Sequence, residues 1–410
     1  MKKLLTILIT TIICISAVLW IFSSLKKEKS SRNEVIFWTL QMSDFSDYMN
    51  GVISEFEAQN PEIKIKWIDV PFSEGEKRTL ASVLSDNPPD LINLNPDFSA
   101  TLAQKGALYE IPQNAAQDFV PEIANSLKYN GKLYSLPWYA TSAVTIFNKE
   151  LLKKAGAEVP KTYEEIAKIA PQIKEKTGAY AFLPNITEND TMLKILNKYG
   201  VNGWENINSE KSVEVFEFYK GLYVKNLIPK ESITQTHREA LEKYMSENIV
   251  LFQAGANFLN MIKENAPSTY QNTDVAPQIT GELGQNDFSL MNFVIPLKAP
   301  HKDAALKFAL FLTNSQNQLE LAKLTNVIAT NKKTLCNDFY TKYDEGDLMA
   351  KARVISAKQL NHVQPVMRVN RNQKDINNLV NTAVQEILLD KAPTKTILDN
   401  VAKDWQMLVF

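Results

Sequence analysis

The amino-acid sequence predicts an α/β fold, because short apolar strands alternate with amphipathic helices from residue 34 onward. Residues 34–40 form an apolar run typical of a buried strand, and a helical apolar spacing then leads to a second strand over 63–70. Another amphipathic segment precedes the apolar run Leu91–Leu94. This alternation indicates βαβ units in an open sheet. A length of 410 residues allows two or three domains, and we expect two.

The rest of the chain continues the mixed pattern. A capping signal from Thr162 to Glu165 opens a predicted helix that ends near Gly178, and residues 211–228 predict another helix. Residues 240–262 predict a helix, a strand, a tight glycine turn and a second helix. A strand from Met291 to Leu297 and a helical C-terminal tail follow.

Charge and cysteine content exclude several classes of function. The first 32 residues carry a net charge of +5, which leaves −6 for the rest of a chain whose formal net charge is −1. No basic stripe suited to a nucleic-acid groove is present, so we expect no nucleic-acid partner. Cys14 and Cys336 are the only cysteines. Since Cys336 has no histidine near it in sequence, we expect a packed or inert thiol rather than a nucleophile.

The N-terminal segment 1–32 addresses the protein to a membrane. A basic start precedes a charge-free stretch from Leu4 to Leu25, which is long enough to cross a bilayer as a helix. The stretch is longer than the apolar core of a cleavable signal, so we favour an uncleaved anchor over a cleaved signal. A lipoprotein signal ending at Cys14 stays open as an alternative. Such signals have small residues before the cysteine, whereas Ile13 precedes Cys14 here.

Polar residues follow the third predicted strand directly. Asn95, Pro96, Asp97 and Phe98 stand where that strand ends. In open α/β sheets ligands bind just beyond the carboxyl ends of strands, so these groups are expected to point into a cleft. Asn and Asp are also preferred at helix N-caps, and from the residues alone Asp97 can be either a cap or a ligand contact.

Three aromatic residues are placed unusually for a core. Trp138 and Tyr139 lie beside Pro137 between two predicted strands, and Trp204 lies in a loop rich in glycine and asparagine. An aromatic ring suits stacking on the C–H face of a sugar while polar neighbours bind its hydroxyls. A wedge between structural elements remains the alternative for the pair, and loop aromatics such as Trp204 are candidates for ligand contact.

The sequence lacks the usual enzyme signatures. It contains no glycine-rich phosphate or dinucleotide loop, no zinc motif and no nucleophile elbow. His237, His301 and His362 lie far apart without metal-ligand spacing, so we expect no metal, no cofactor and no catalysis. Because glycoside hydrolysis needs two carboxylates that are close only in space, a membrane-anchored glycan-acting enzyme stays open as an alternative.

An ordered set of motifs over residues 34–410 resembles a known family. The motifs are FWT, NPDFSATLAQKGAL, GKLYSLPWYATSAVTIFNKELL, KTYEEI, FQAGANFL and VIPLKAPHKDAALKFALFLTN. Together they resemble the extracellular solute-binding proteins of ABC transporters, in the carbohydrate-binding branch that includes the maltose-binding protein. The resemblance implies a two-lobed periplasmic-binding-protein fold of type II, in which each lobe is a mixed sheet flanked by helices and three crossing segments join the lobes. The implied boundaries are 34–139 with 297–332 for lobe 1, and 140–296 with 333–410 for lobe 2.

The resemblance also implies a set of ligand-binding residues. Asp97 matches a strand-end acid that binds sugar hydroxyls in the family, and Thr141 stands where the maltose-binding protein has an acid. Asn257 stands near the position of one of its stacking tryptophans, so we expect a more polar site. The expected ligand-binding residues are Trp38, Gln41, Asp97, Trp138, Tyr139, Thr141, Trp204, Asn257, Asn292 and Arg371.

The function implied is that of a monomeric binding protein tethered outside the cell membrane, which closes on a sugar or oligosaccharide and delivers it to an ABC permease. The fold fixes a cleft but not its lining, so a polyol, a glycerol phosphodiester, a peptide or an anion stay open as ligands. An anion requires positive charge in the cleft, which Arg368 and Arg371 are able to supply.

Overall fold

The computed structural model describes residues 34–363 and 372–409. The predicted anchor, Cys14, Arg368 and Arg371 lie outside the described residues. The strands are β1 Glu34–Leu40, β2 Lys64–Val70, β3 Leu91–Leu94, β4 Lys128–Tyr129, β5 Lys132–Leu133, β6 Ser135–Thr141, β7 Val144–Asn148, β8 Tyr180–Phe182, β9 Ile249–Ala254, β10 Thr273–Ala276, β11 Ser289–Val294 and β12 Ile328–Ala329.

Helices connect these strands and form the whole C-terminal part of the described chain. They are α1 Ser46–Gln59, α2 Phe72–Val83, α3 Pro96–Gln104, α4 Pro121–Ser126, α5 Lys149–Ala155, α6 Tyr163–Thr177, α7 Thr191–Asn197, α8 Glu210–Val224, α9 His237–Met245, α10 Phe258–Asn265, α11 Pro267–Gln271, α12 Lys302–Leu312, α13 Ser315–Thr325, α14 Lys332–Leu335, α15 Asp338–Thr341, α16 Leu348–Gln359, α17 Gln373–Leu388 and α18 Thr394–Val409.

The chain divides into two units. The first unit contains residues 34–93, 107–109 and 294–311, and the second contains 94–106, 110–293 and the described residues from 312 onward. The lobe boundaries given above stay a prediction.

In the first unit, β1 lies between β2 and β3 and is parallel to both, with Phe37 opposite Trp67 on one side and Leu91 on the other. The predicted strand–helix–strand order is therefore observed. Phe37 packs against Phe308 of α12 with ring centroids 5.3 Å apart. Burial of such large aromatic faces, rather than local propensity, fixes the helix on the sheet.

His301 has a structural role in this unit. Its backbone N–H donates to the Asp90 carboxylate at 2.9 Å, and its ring Nδ1 lies 3.3 Å from the same group. The backbone N–H of Ile36 also donates to Asp90 at 2.9 Å. Asp90 is 1% exposed, and these bonds offset the cost of burying its carboxylate.

In the second unit, β7 pairs antiparallel with β10 and β9, and β8 runs parallel to β9. Two hydrophobic clusters cover this sheet and include residues of α6, α8, α17 and α18 in one, and of α9, α10 and α16 in the other. The capping signal before α6 is observed, since the Thr162 hydroxyl accepts the backbone N–H of Glu165 at 3.2 Å. Gly178 ends this helix with φ of 80°, a left-handed conformation that glycine adopts most easily.

One predicted strand differs in its bounds. The strand predicted from Met291 to Leu297 is observed as β11, which begins at Ser289 and ends at Val294. Pro296 follows two residues later, and proline has no N–H to donate to a strand ladder. The proline therefore accounts for the earlier end.

Candidate functional site

The carboxyl end of β3 leads directly into α3, and the structure decides which residue caps this helix. Asn95 Oδ1 accepts the backbone N–H of Phe98 at 2.8 Å, and Pro96 occupies the first helical position. Asn95 is therefore the N-cap, and the cap interpretation of Asp97 is wrong. Asp97 lies in the first turn with an exposed side chain, where the helix dipole favours a negative charge.

Asn292 supports this helix from within the second unit. Its side chain is fully buried in β11, and its Nδ2 donates to Ser99 Oγ at 2.7 Å. Ser99 Oγ in turn donates to the backbone carbonyl of Asn95 at 2.9 Å. With no exposed surface, Asn292 holds α3 in place in this structure, and a direct contact with ligand requires it to become exposed.

The aromatic pair on β6 divides between the core and the surface. Trp138 is fully buried and stacks on Phe293 with centroids 4.6 Å apart, while its carbonyl accepts hydrogen bonds from Gln318 and Thr330. The wedge alternative thus describes Trp138 in this structure, and stacking of a ligand on its ring requires the ring to become exposed. Tyr139 is half-buried.

Tyr139 and Thr141 share one face of β6, because side chains two residues apart on a strand point the same way. Tyr139 is half-buried and Thr141 is exposed, whereas the alternating residues Trp138 and Ala140 are buried. Desolvation by burial raises the pKa of Tyr139 to about 12. The phenol is neutral at physiological pH, so it is able to donate and to accept a hydrogen bond.

Asn257 lies at the turn between β9 and α10. It is exposed and stands at the N-cap position of α10, although its side chain makes no capping hydrogen bond. Its Oδ1 lies over Gly255, where an added Cβ would approach this oxygen to 2.6 Å. Only glycine therefore fits at position 255 with Asn257 in this orientation.

Next to this turn is an aromatic cluster, formed by His237, Phe252 and Phe258. The His237 ring stacks on Phe252 with centroids 4.7 Å apart, and Phe258 meets His237 edge-on at 5.0 Å. Burial lowers the pKa of His237, although the charge of Glu188 acts in the opposite direction. The imidazole is thus held in its neutral form, which suits stacking and hydrogen bonding.

Glu188 connects this cluster to a second loop that the sequence reasoning missed. Its Oε2 accepts the Asn185 amide at 2.6 Å and the backbone N–H of His237 at 2.8 Å. Nothing in the local sequence predicts a contact between residues 49 positions apart. The nearest signal is the pair of phenylalanines on either side of the Gly255 turn, which marks an aromatic patch next to Asn257.

Trp204 is half-buried in a turn before α8 and packs against the helical hydrophobic cluster of the second unit. The structure therefore gives this loop aromatic a packing role, and its contact with ligand stays a prediction.

In the first unit, the sequence expectation that Trp38 and Gln41 share the loop after β1 is corrected, because Trp38 lies within β1 and only Gln41 lies in that loop. Trp38 is 8% exposed, and the Arg78 guanidinium lies 5.1 Å from the centroid of its ring. Gln41 is exposed with φ of 53°, and Asp69 anchors its loop by accepting the backbone N–H groups of Met42 and Ser43, each at 2.9 Å. The loop geometry thus presents the Gln41 side chain to solvent.

Within residues 34–363 and 372–409, no group of three His, Cys, Asp or Glu side chains is placed to hold a metal ion. In the same described part of the chain, no helix combines the length and apolar character needed to span a membrane.

Comparison with known proteins decides the family. The sequence model for bacterial extracellular solute-binding proteins matches residues 51–347. This chain belongs to that family. The resemblance predicted from the ordered motifs is confirmed, and an extracytoplasmic location follows from the family.

Relatives and solved structures of other solute-binding proteins agree with this assignment. The multiple sugar-binding protein of Streptococcus mutans is 25% identical over 325 residues, covering 72% of this chain and 76% of that protein. A candidate oligosaccharide periplasmic-binding protein from Synechococcus sp. MITs9220 superimposes with a TM-score of 0.80 at 27% identity, over 92% of this chain and 98% of the other. The sugar-binding protein MalE of Xanthomonas citri has a TM-score of 0.77 at 20% identity, over 92% and 97% of the two chains. The predicted α/β class and periplasmic-binding-protein fold are confirmed.

Proposed function

We propose that this solute-binding protein is the substrate-binding component of an ABC importer, and that it captures a sugar or oligosaccharide and passes it to the permease. The observation that carries the ligand class is the face of β6 with the neutral phenol of Tyr139 beside the exposed hydroxyl of Thr141. A ring with a polar edge binds both the C–H face and the hydroxyls of a sugar.

The names of relatives support the same ligand class. Besides the multiple sugar-binding protein, the diacetylchitobiose binding protein DasA of Streptomyces coelicolor is 26% identical over 218 residues, 49% of this chain and 50% of that protein. A mannitol-binding protein of Pseudomonas aeruginosa is 22% identical over 346 residues, 78% of each chain. The latter observation favours a polyol as the second candidate ligand.

The solvent exposure of each proposed binding residue decides whether we assign it a direct contact with ligand or a supporting role. Asp97, Thr141 and Asn257 are exposed and Tyr139 is half-buried, and we propose that these four bind the hydroxyls directly. Trp138 and Asn292 are proposed to act by holding Tyr139 and α3 in place. Trp38, Gln41, Trp204 and Arg371 complete the proposed set. The proposal includes no catalysis and no cofactor.

Tethering by residues 1–32, with the folded body outside the membrane as a monomer, is also part of the proposal. Its charge-free stretch is long enough to span a bilayer. The full-length protein should sediment with membranes, and a variant that lacks residues 1–32 should be released into the soluble fraction. Release of the full-length chain by high salt would refute insertion.

The ligand class is tested by thermal unfolding of the full-length protein in mild detergent. The panel contains mono- and oligosaccharides, polyols and organophosphates. A ligand that binds only the folded state raises the midpoint of unfolding. At a concentration one hundred times its dissociation constant, it increases the free energy of unfolding by about 2.7 kcal/mol. We expect a rise with one class of sugar, recovered chemically intact. A rise only with phosphates or peptides would refute the sugar proposal, and consumption of the sugar would indicate the enzyme alternative.

A further inference from the structure

A cavity lies within the second unit and is lined by none of the predicted ligand-binding residues. Its volume is about 500 Å³, which is in the range of small-molecule sites. It is lined by side chains from the start of α6, the turn after α7, α8 and the loop after β10. We refer to it as the α8 pocket.

The rim of the α8 pocket carries an excess of negative charge. Glu164, Glu214 and Glu282 face a single cation, Lys211. Lys211 Nζ lies 2.8 Å from Glu214 and 3.0 Å from Glu282, so an ammonium group is already held between two carboxylates at this rim. The four side chains together leave a net charge of −2 when all are ionised.

Glu164 contributes a carboxylate that remains ionised. Burial alone would raise its pKa, but the hydrogen bond donated by Tyr199, together with smaller favourable interactions, lowers the pKa below the ordinary value. The Tyr199 hydroxyl donates to Glu164 Oε1 at 2.7 Å. Since a phenol neutralises no charge, the negative charge of Glu164 is undiminished at neutral pH.

The wall of the pocket is aromatic, and one of its residues, Tyr219, has a buried hydroxyl without a hydrogen-bond partner among the described residues. Phe218 and Tyr219 of α8 meet edge-on with centroids 5.1 Å apart, and both line the cavity. Tyr219 is 1% exposed, and among the described residues its hydroxyl has no hydrogen-bond partner. A buried polar group without a partner is costly, so a ligand or a small shift that brings a partner to it is favoured.

We propose that the α8 pocket is a second binding site, which takes a small organic cation consisting of a primary ammonium group on an apolar body. The ammonium compensates the negative charge of the rim carboxylates that Lys211 does not neutralise. The apolar body packs against Phe218 and Val215. A cation–ring interaction adds to binding where the ammonium lies over an aromatic face. A movement of Tyr219 toward the cavity lets its oxygen accept a hydrogen bond from the ligand. A neutral sugar leaves the charge uncompensated, and an anion is repelled.

The test is isothermal titration of the full-length protein in detergent with benzylamine and with benzyl alcohol, its neutral analogue. We expect benzylamine to bind at least about tenfold more tightly than the alcohol, and the difference to shrink as salt screens the rim. Glu214→Gln and Glu282→Gln should each weaken benzylamine binding about threefold, as expected for one exposed charge a few ångströms away. Glu175→Gln is the matched control, because it makes the same charge change at an exposed position outside the pocket lining.

Tyr219→Phe tests the contribution of the Tyr219 hydroxyl to benzylamine binding while the charges of the rim stay unchanged. It should weaken benzylamine binding about fivefold and, because it removes an unmatched buried hydroxyl, raise the unfolding midpoint of the ligand-free protein. Equal affinity for amine and alcohol, no heat from benzylamine, or unchanged affinity in both glutamine variants would overturn the proposal. Sugar binding should be unaffected by these substitutions, so failure of this proposal and failure of the sugar proposal are distinguishable.

Discussion

Asn292 Nδ2 and Ser99 Oγ lie 2.7 Å apart in a fully buried hydrogen bond beneath the first turns of α3. This bond connects β11 to the helix that carries Asp97. Asn292, which the sequence suggests as a ligand contact, thus supports the helix that carries Asp97, a second predicted ligand contact. The energetic consequence is measurable, since removing the Asn292 amide deprives Ser99 Oγ of a buried hydrogen-bond donor.

Asn292→Leu should lower the free energy of unfolding by about 0.5–1.5 kcal/mol, because Ser99 Oγ loses the buried amide donor and keeps only its own bond to the Asn95 carbonyl. Denaturant unfolding of the two proteins measures the difference. Asn208→Leu serves as a comparison, since Asn208 also donates a side-chain bond, to Asp399 at 2.7 Å, but from a partly exposed position. If Asn292→Leu costs no more than this comparison, Asn292 has no supporting role.

The two candidates for the N-cap of α3 predict opposite rankings of stability. Asn95→Ala should cost about 1 kcal/mol because it removes the acceptor for the Phe98 N–H, whereas Asp97→Asn should cost less. Thermal unfolding of the ligand-free proteins gives the ranking. A larger cost for Asp97→Asn would mean that the cap assignment is incorrect.

Substitutions of Trp138 and of Tyr139 should have different effects, the first mainly on the stability of the fold and the second mainly on sugar binding. Trp138→Ala should destabilise the fold by about 3–5 kcal/mol, since it removes a fully buried ring from its stack on Phe293. Tyr139→Phe should change stability little and weaken sugar binding, because only the half-buried hydroxyl is lost. Unfolding curves and binding isotherms of both variants test this. Loss of stability in Tyr139→Phe with unchanged affinity would contradict the division.

His237 should make stability depend on pH. Burial lowers its pKa from the ordinary 6.5, so below that value the unfolded state binds a proton that the folded state resists. The unfolded state then binds more protons, and the free energy of unfolding must fall as the pH decreases. Urea unfolding at neutral and at mildly acidic pH should show a smaller decrease in His237→Phe than in the natural protein. An identical decrease would assign the effect to other groups.

Local sequence patterns were sufficient to predict the secondary-structure elements, but they were insufficient to predict the geometry of the candidate site. The Thr162 cap of α6 and the strand–helix order of the first unit follow from spacing and capping chemistry, which act within a few residues. The alternation on β6 also predicts that Trp138 and Tyr139 face opposite sides. Which of them faces inward depends on distant packing partners such as Phe293, on which Trp138 stacks, and such partners are not visible in the local pattern.

The same limit explains the other differences. Asn95 and Asp97 are both good capping residues two positions apart, and only the backbone geometry selects Asn95. The link from Glu188 to His237 joins two loops through tertiary structure, so a histidine that looked isolated in sequence belongs to an aromatic cluster beside Asn257.

The most direct test of the account is equilibrium titration of the full-length protein with the sugar that stabilises it most, in the natural form and in Asp97→Asn. Asp344→Asn, at an exposed position, is the matched control for the charge change. The account predicts saturable binding that Asp97→Asn weakens about tenfold or more, as for loss of a charge-assisted hydrogen bond, while the control binds normally. Equal affinity in all three proteins would contradict a sugar site at the end of β3.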